Sequence, residues 1–437
     1  MAGLKPAVFH YKPFSRKQKK VLTWWLPESG VSDYEGIIAD GAIRSGKTVC
    51  MSLSFMLWAM SSFNGMNFGI CGKTVGSFRR NVLSVIKQML PARGYKIKDK
   101  RAENLVVVTK GNVTNYFYVF GGKDESSADL IQGITLAGIL LDEAALMPRS
   151  FVEQACARCS VKGSKLWFNC NPDGPEHWFY KEIIQKAEKK KILYLHFTMD
   201  DNLSLAEEIK ERYRSSYVGV FYSRFILGLW VMAEGLVYDM FNKQNHVVDE
   251  VPKDALEHGT YYISIDYGTL NPFSAGLWCV YSGKAYRVKE YYYSGRDTHS
   301  QMTDEEYYAE IEKLAGDRNI RFIVVDPSAA SFITTIRRHG RFSVRKAKND
   351  VIPGIMVTAT LLKAGVLQFH KDCKGIIKEF GLYSWDSKSS TDKVIKENDH
   401  AMDDMRYFVY TVLRRDPLVK EKLGGIKIEE TEKMVIR

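Results

Sequence analysis

The chain has 437 residues, 45% hydrophobic and 26% charged, with a formal net charge of +11, so it exceeds what one hydrophobic core supports and two domains are the default. The positive excess points to an anionic partner, a nucleic acid ahead of a membrane surface, with a merely basic soluble protein as the plainer alternative. Seven scattered cysteines are an odd number and exclude a regular disulfide framework, which suits a reducing compartment.

In chain order, residues 1–20 carry five basic residues between Lys12 and Lys20 and lack the apolar stretch of a signal peptide. Gln18 follows within Phe14-Ser15-Arg16-Lys17-Gln18; its amide can pair with donor and acceptor on an adenine edge, or lie idle on the surface. A short apolar run, 36–39, predicts a buried parallel strand, and 49–60 predicts a helix. Between them Gly41 to Thr48 read GAIRSGKT, a complete GxxxxGK[ST] phosphate loop. Gly41 and Gly46 let backbone N–H groups crowd the phosphates, Lys47 reaches the β and γ oxygens, and the Thr48 hydroxyl ligates Mg²⁺. Ser45 completes the loop, and Arg44 inside it can approach the phosphates in cis. Residues 49–71 are uncharged over a bilayer-length stretch, but Asn64-Gly65 breaks it, leaving a buried helix followed by a strand.

Further strands are expected at 67–71, 105–108, 116–120, 138–141, 165–169 and 192–198, mostly continuous apolar runs, the grammar of a wound α/β sheet. The run Ile139-Leu140-Leu141 ends in Asp142-Glu143, a Walker B pattern. Asp142 would serve the magnesium shell and Glu143 would deprotonate the attacking water, so the first half is read as hydrolysing a nucleoside triphosphate. Cys156 and Cys159 form a lone CxxC, better read as buried helical cysteines than as zinc ligands. Asn169-Cys170-Asn171-Pro172 ends the next strand, where a polar side chain can sense the γ-phosphate; Asn-Pro is also simply a good turn. An arginine acting in trans is not placed by the sequence, with Arg149 and Arg158 as candidates.

The expected organisation is a P-loop ATPase core (1–205), a small aromatic helical subdomain (206–241), a linker (242–258), a second α/β domain (259–415) and a charged tail (416–437) that is mobile or ordered by a partner. The second domain reads as three strands at 261–266, 274–280 and 284–293, a helix at 304–315 and a strand at 321–325, the order of a ribonuclease H-like fold. Asp266 and Asp326 each end a strand, where a carboxylate is costly unless paired or bound to metal. Downstream, His400, Asp403, Asp404 and Tyr407 fall at i, i+3, i+4 and i+7 of one helix face. Three carboxylates from two strands and a helix suit two Mg²⁺ or Mn²⁺ ions and phosphodiester cleavage; an ordinary surface helix with a structural Asp–Arg pair is the alternative.

Taken in order, these motifs, with His177-Trp178, Trp230 before Gly235-Leu236-Val237-Tyr238, Ile265-Asp266-Tyr267-Gly268, Val325-Asp326-Pro327 and Asp399 to Asp403, resemble the large terminase subunit of tailed double-stranded DNA bacteriophages, especially headful-packaging types. The resemblance spans roughly residues 10 to 415. It implies an ASCE/RecA-like P-loop ATPase domain and an RNase H-like (RuvC-type) nuclease domain. It implies ATP with Mg²⁺ at Lys47, Thr48, Asp142 and Glu143, with Gln18 against the adenine and Asn171 or Asn169 in the coupling motif. It also implies a metal triad of Asp266, Asp326 and Asp403, with His400 and Asp404 in second line. The partners it implies are double-stranded DNA, the terminase small subunit, the procapsid portal and other copies of the chain in a pentameric ring. The implied location is the host bacterial cytoplasm and, transiently, the portal, but not the mature virion or a membrane. A helicase-nuclease of repair or restriction and a nucleotide-switched DNA clamp are the rival readings; a helicase should carry an arginine-bearing motif in a second RecA-like half.

Overall fold

The computed structural model describes residues 13–269, 271–295, 300–389 and 391–423. The chain divides into one unit of residues 1–210 with 222–232 and another of 211–221 with 233–437.

The first unit is built on strands β1 (Gly36–Gly41), β2 (Asn67–Gly72), β3 (Lys96–Lys100), β4 (Leu105–Lys110), β5 (Val113–Gly121), β6 (Gly138–Asp142), β7 (Lys165–Asn169) and β8 (Ile192–Phe197). Their order is β3-β4-β5-β2-β6-β7-β1-β8; β3 and β4 are antiparallel additions and the remaining neighbours run parallel. Every residue of β1 and β6 is buried, as continuous apolar runs require when a sheet is covered on both faces. Strand β7 lies between the strand entering the phosphate loop and the strand ending at Asp142, so three strand ends converge on one site. Helix α1 (Arg16–Thr23) is held by a capping box between Ser15 and Gln18. Helix α2 (Lys47–Ser62) follows the phosphate loop, and its Phe55 and Trp58 pack with Phe68, Phe117 and Trp167 of the sheet. Among the described residues no helix is long and apolar enough to cross a membrane.

Helices α3 (Arg149–Ala157), α4 (Glu207–Ser216) and α5 (Gly219–Phe225) follow. The helical reading of 206–241 stops there, because the chain leaves helical geometry at Gly228 (φ +75°), which presses against the phosphate loop. A Cβ at Gly228 would lie 2.8 Å from the Ala42 nitrogen, so only glycine allows this approach.

The second unit holds β9 (Val247–Val248), β10 (Thr260–Asp266), β11 (Phe273–Tyr281), β12 (Lys284–Tyr293), β13 (Ile320–Val325), β14 (Val344–Lys346) and β15 (Leu367–His370) in the order β14-β13-β10-β11-β12-β15-β9. Strands β10, β11 and β12 form an antiparallel meander, and β13 and β14 add parallel to β10. Helices α6 (Asp304–Ala315), α7 (Ala330–His339), α8 (Val351–Lys363), α9 (Lys374–Glu379) and α10 (His400–Thr411) complete it, and α10 packs on the meander, stacking Phe408 on Trp278 at 4.6 Å. Segment 242–258, expected as a linker, contributes β9 to this sheet and buries Ala255. The expected tail starts as a helix, α11 (Pro417–Lys422), anchored by buried Val419; residues 424–437 lie outside the described residues.

Candidate phosphate and metal sites

In the first unit Gly41 has φ +119°, and a Cβ there would lie 2.0 Å from the Phe197 carbonyl oxygen, so the turn into the loop excludes any other residue. Gly46, at φ +84°, caps α2 and faces Gln18, whose Nε2 would be 2.4 Å from an added Cβ. Gln18 therefore lies against the phosphate loop, though its Oε1 already accepts from the Ser15 N–H at 3.0 Å. Arg44 sits at φ +57°, a region costly for a non-glycine residue, and its carbonyl accepts from Asn202 Nδ2 at 2.7 Å.

Lys47 Nζ donates to the Gly41 and Ala42 carbonyls at 3.1 and 2.6 Å, to Ser45 Oγ at 3.2 Å and to Asn171 Oδ1 at 3.1 Å. Burial lowers its pKa to about 8, against the opposing pull of Cys170, Asp40 and Asp142. Thr48 Oγ1 lies 3.3 Å from Asp142 Oδ1, and Asn169 Nδ2 donates to Thr48 Oγ1 at 2.9 Å and to Asp142. Both asparagines of the Asn169-Cys170-Asn171 run thus reach the site, Asn171 at the lysine and Asn169 at the Thr48–Asp142 pair. Glu143 follows β6 in the left-handed region, φ +60°, a local strain of the kind that accumulates at working sites. The trans candidates are no better placed: Arg149 pairs with Glu153 on α3 at 2.6 Å, and Arg158 immediately follows that helix. Cys156 ends within α3 while Cys159 lies beyond it, which corrects the reading of both as helical.

Asp40, overlooked in the sequence, is fully buried at the end of β1. It accepts from Trp230 Nε1 at 2.8 Å and pairs with His196 Nδ1 at 3.0 Å, while the Ile43 N–H donates to the Phe225 carbonyl at 2.9 Å. The segment after α5 is thereby strapped to the phosphate loop. An acid ending a buried strand was the signal that marked Asp266 and Asp326, and it marks Asp40 equally.

In the second unit the parallel register pairs Ile265 with Val325, so Asp266 and Asp326 follow at neighbouring strand ends. Asp266 Oδ2 lies 2.9 Å from His400 Nδ1. Burial first, and Asp403 after it, push Asp266 up to about 6 although His400 opposes them. The same contact raises His400 in spite of its burial. Asp326 accepts from Tyr407 OH at 2.6 Å and from the Ser328 N–H at 2.7 Å; burial raises it, but these hydrogen bonds prevail and hold it below the usual carboxylate range. Asp403 is held by Lys396 Nζ at 3.2 Å and by Arg406 at 2.9 Å. Among the described residues no three His, Cys, Asp or Glu side chains are already arranged around an ion position. The donor set nonetheless fits a hard divalent cation: Asp266 and Asp326 stand at the ends of adjacent strands, and Asp403 lies on the helix that brings His400 against Asp266.

Asp404 does not belong to that set. Successive helix residues diverge by about 100°, which turns Asp404 into the sheet, where it is fully buried. Arg287 grips it with two bonds of 2.6 and 3.0 Å, and Ser264 donates at 2.8 Å with Ser274 beside it. Its oxygens are thus taken up by Arg287 and the two serines, whereas the sequence had it in second line as a metal ligand. Asp404→Ala should cost about 3 kcal/mol, since it leaves the buried Arg287 charge with only Glu290 at 3.5 Å, read as a lower urea midpoint at unchanged slope.

The first unit is thus an α/β domain of the phosphate-loop class, and the second an α/β domain with carboxylates gathered at its strand ends. The model of the large terminase subunit, T4likevirus-type, N-terminal part, matches residues 38–244. The large terminase of a thermophilic bacteriophage is 55% identical, covering 92% of this chain and 100% of that chain, with a TM-score of 0.84. Over the same coverage, that terminase in complex with ADP is 55% identical with a TM-score of 0.80, and in complex with ATP-γ-S 54% identical, also at 0.80. No curated protein matches the chain. The chain belongs to the large terminase family.

Proposed function

We propose that this chain is the ATP-hydrolysing and DNA-cutting subunit of a viral DNA-packaging motor. The observation that carries the reading is that one chain holds both a phosphate loop with its Thr48–Asp142 pair and a separate acid cluster at the ends of β10 and β13. The nucleotide complexes of the thermophilic phage relative support ATP as ligand. The 5-4-1-2-3 order of β14-β13-β10-β11-β12 supports an RNase H-like second domain, and β7 inserted between β1 and β6 supports an ASCE/RecA-like first domain.

In the first domain the loop N–H groups and Lys47 would bind the phosphates, Thr48 and Asp142 would hold Mg²⁺, and Gln18 would border the base. Glu143 would orient the attacking water and take its proton. Asn169 touches the Thr48–Asp142 pair and Asn171 touches Lys47, and so both would register loss of the γ-phosphate. In the second domain Asp266, Asp326 and Asp403 would hold two Mg²⁺ or Mn²⁺ ions, which when bound supply an activated water and neutralise the leaving oxygen. His400 would orient Asp266 and carry a compensating charge. Double-stranded DNA, the small subunit, the procapsid portal and further copies of the chain in a ring are the proposed partners, met in the host cytoplasm.

The test is Mg²⁺- or Mn²⁺-dependent plasmid cutting together with DNA-stimulated ATP turnover by the same preparation; absence of both contradicts the reading. The stimulation should fall with added salt, because basic side chains releasing counterions from DNA phosphates lose that advantage. Nucleotide affinity should also fall at high pH. Lys47 ionises near 8 when the site holds no phosphate, so a ligand requiring the ammonium binds about tenfold more weakly at pH 9 than at pH 7. Titration with a fluorescent ATP analogue checks this, and a flat profile from pH 7 to 9 would exclude Lys47 as the charge being titrated.

A further inference from the structure

Helix α10 presents His400 and Asp403 to the acid cluster, yet it does not cap itself. The side chain of its N-cap residue, Asp399, accepts no capping hydrogen bond from the N–H groups of the first turn. The donors such a cap would serve are met from elsewhere: Glu379 Oε2 accepts from the Ala401 N–H at 2.8 Å and the Met402 N–H at 3.1 Å. Glu379 ends α9, is 3% exposed, and its other oxygen accepts from Tyr292 OH at 2.7 Å. Tyr292 lies on β12. So does Glu290, which accepts from the Gly375 and Ile376 N–H groups at the start of α9. So does Arg287, which grips Asp404 of α10. One strand therefore holds the active helix at two points: Arg287 through Asp404 sets its rotation, and Tyr292 through Glu379 sets its end.

Burying charged groups costs free energy that apolar residues of similar volume would not, and their best-attested return is fixing register. We infer that Glu379, supported by Tyr292, is a positioning residue of the second site. It fixes the N-terminus of α10 so that Asp403 and His400 meet Asp266. Asp404 and Arg287 supply the complementary rotational lock. The inference rests on the nuclease reading above, since its consequence is felt at the metal-binding carboxylates.

The experiment uses the full chain and three variants: Glu379→Ala, Glu379→Gln and Tyr292→Phe. Plasmid cutting is titrated with Mn²⁺, alongside ATP turnover and the thermal midpoint. Loss of a group that orients metal ligands typically costs about 10–100-fold in metal affinity. Glu379→Ala should accordingly raise the half-saturating Mn²⁺ by about that factor, with cutting largely restored at saturating Mn²⁺ and ATP turnover unchanged. Glu379→Gln, which keeps one acceptor oxygen, should fall between it and wild type. Tyr292→Phe should move in the same direction by less, and it keeps the test open should the alanine variant not fold. A lowered thermal midpoint with wild-type Mn²⁺ dependence in all three variants would overturn the inference and leave the nuclease reading intact. Failure of the wild-type protein itself to cut at any Mn²⁺ concentration would overturn both.

Discussion

Glu143→Gln is expected to bind ATP as the wild-type protein does and to lower steady-state turnover by about 10²–10⁴-fold, the usual worth of a positioned general base. The change is nearly isosteric and leaves the Thr48–Asp142 pair and the Lys47 contacts in place, so binding is spared while proton removal is lost. The residue follows β6 in a left-handed conformation, a strain that any side chain other than glycine would also bear, so the substitution adds none. Phosphate release and nucleotide binding measured on one preparation separate the two effects. Unchanged release in the glutamine variant would remove Glu143 from the reaction.

Asp266→Ala is expected to abolish DNA cutting and leave ATP turnover intact. It removes the carboxylate at the end of β10 that stands beside Asp326 in the register and contacts His400. Burial chiefly pushes the Asp266 pKa up to about 6. The sign follows from linkage. With a folded pKa above the unfolded value, the native state holds the proton more tightly, so stability falls as pH rises from about 4 to about 6 and stays lower above that window. Asp266→Asn should therefore stabilise the metal-free protein at pH 8, on the order of 2 kcal/mol, while abolishing cutting. Thermal denaturation at pH 3 and pH 8 checks this: a gain confined to pH 8 is expected, and an equal change at both pH values would assign the effect to something other than the charge.

The phosphate loop and most strands were legible in the sequence because their signals are local. GAIRSGKT demands glycines where the backbone turns against Phe197 and Gln18, and apolar runs such as Ile139 to Leu141 have no alternative but a covered sheet. Strand β3, Lys96–Lys100, carried no such signal because it is an edge strand whose lysines face solvent. Asp403 and Asp404 show the limit at the site itself. Helical spacing puts both near one face, but which of them meets the acid cluster is decided by Arg287 of β12, 117 residues before Asp404 in the chain. Asp40 carries the same local signal as Asp266, an acid closing a buried strand, but its partner Trp230 lies 190 residues away, and no local pattern joins the two. Glu379 looks like any surface glutamate in the sequence, and only the fold brings it to the start of α10.

Whether this chain drives packaging is read from ATP-dependent uptake of linear DNA into matching procapsids, scored as protection from an added nuclease. Protection is expected with the wild-type chain and with Asp266→Ala supplied with pre-cut DNA, and none with Glu143→Gln. Protection that persists in Glu143→Gln, or that needs Asp266 on pre-cut DNA, would contradict an ATP-driven motor whose cutting site is separate from its drive.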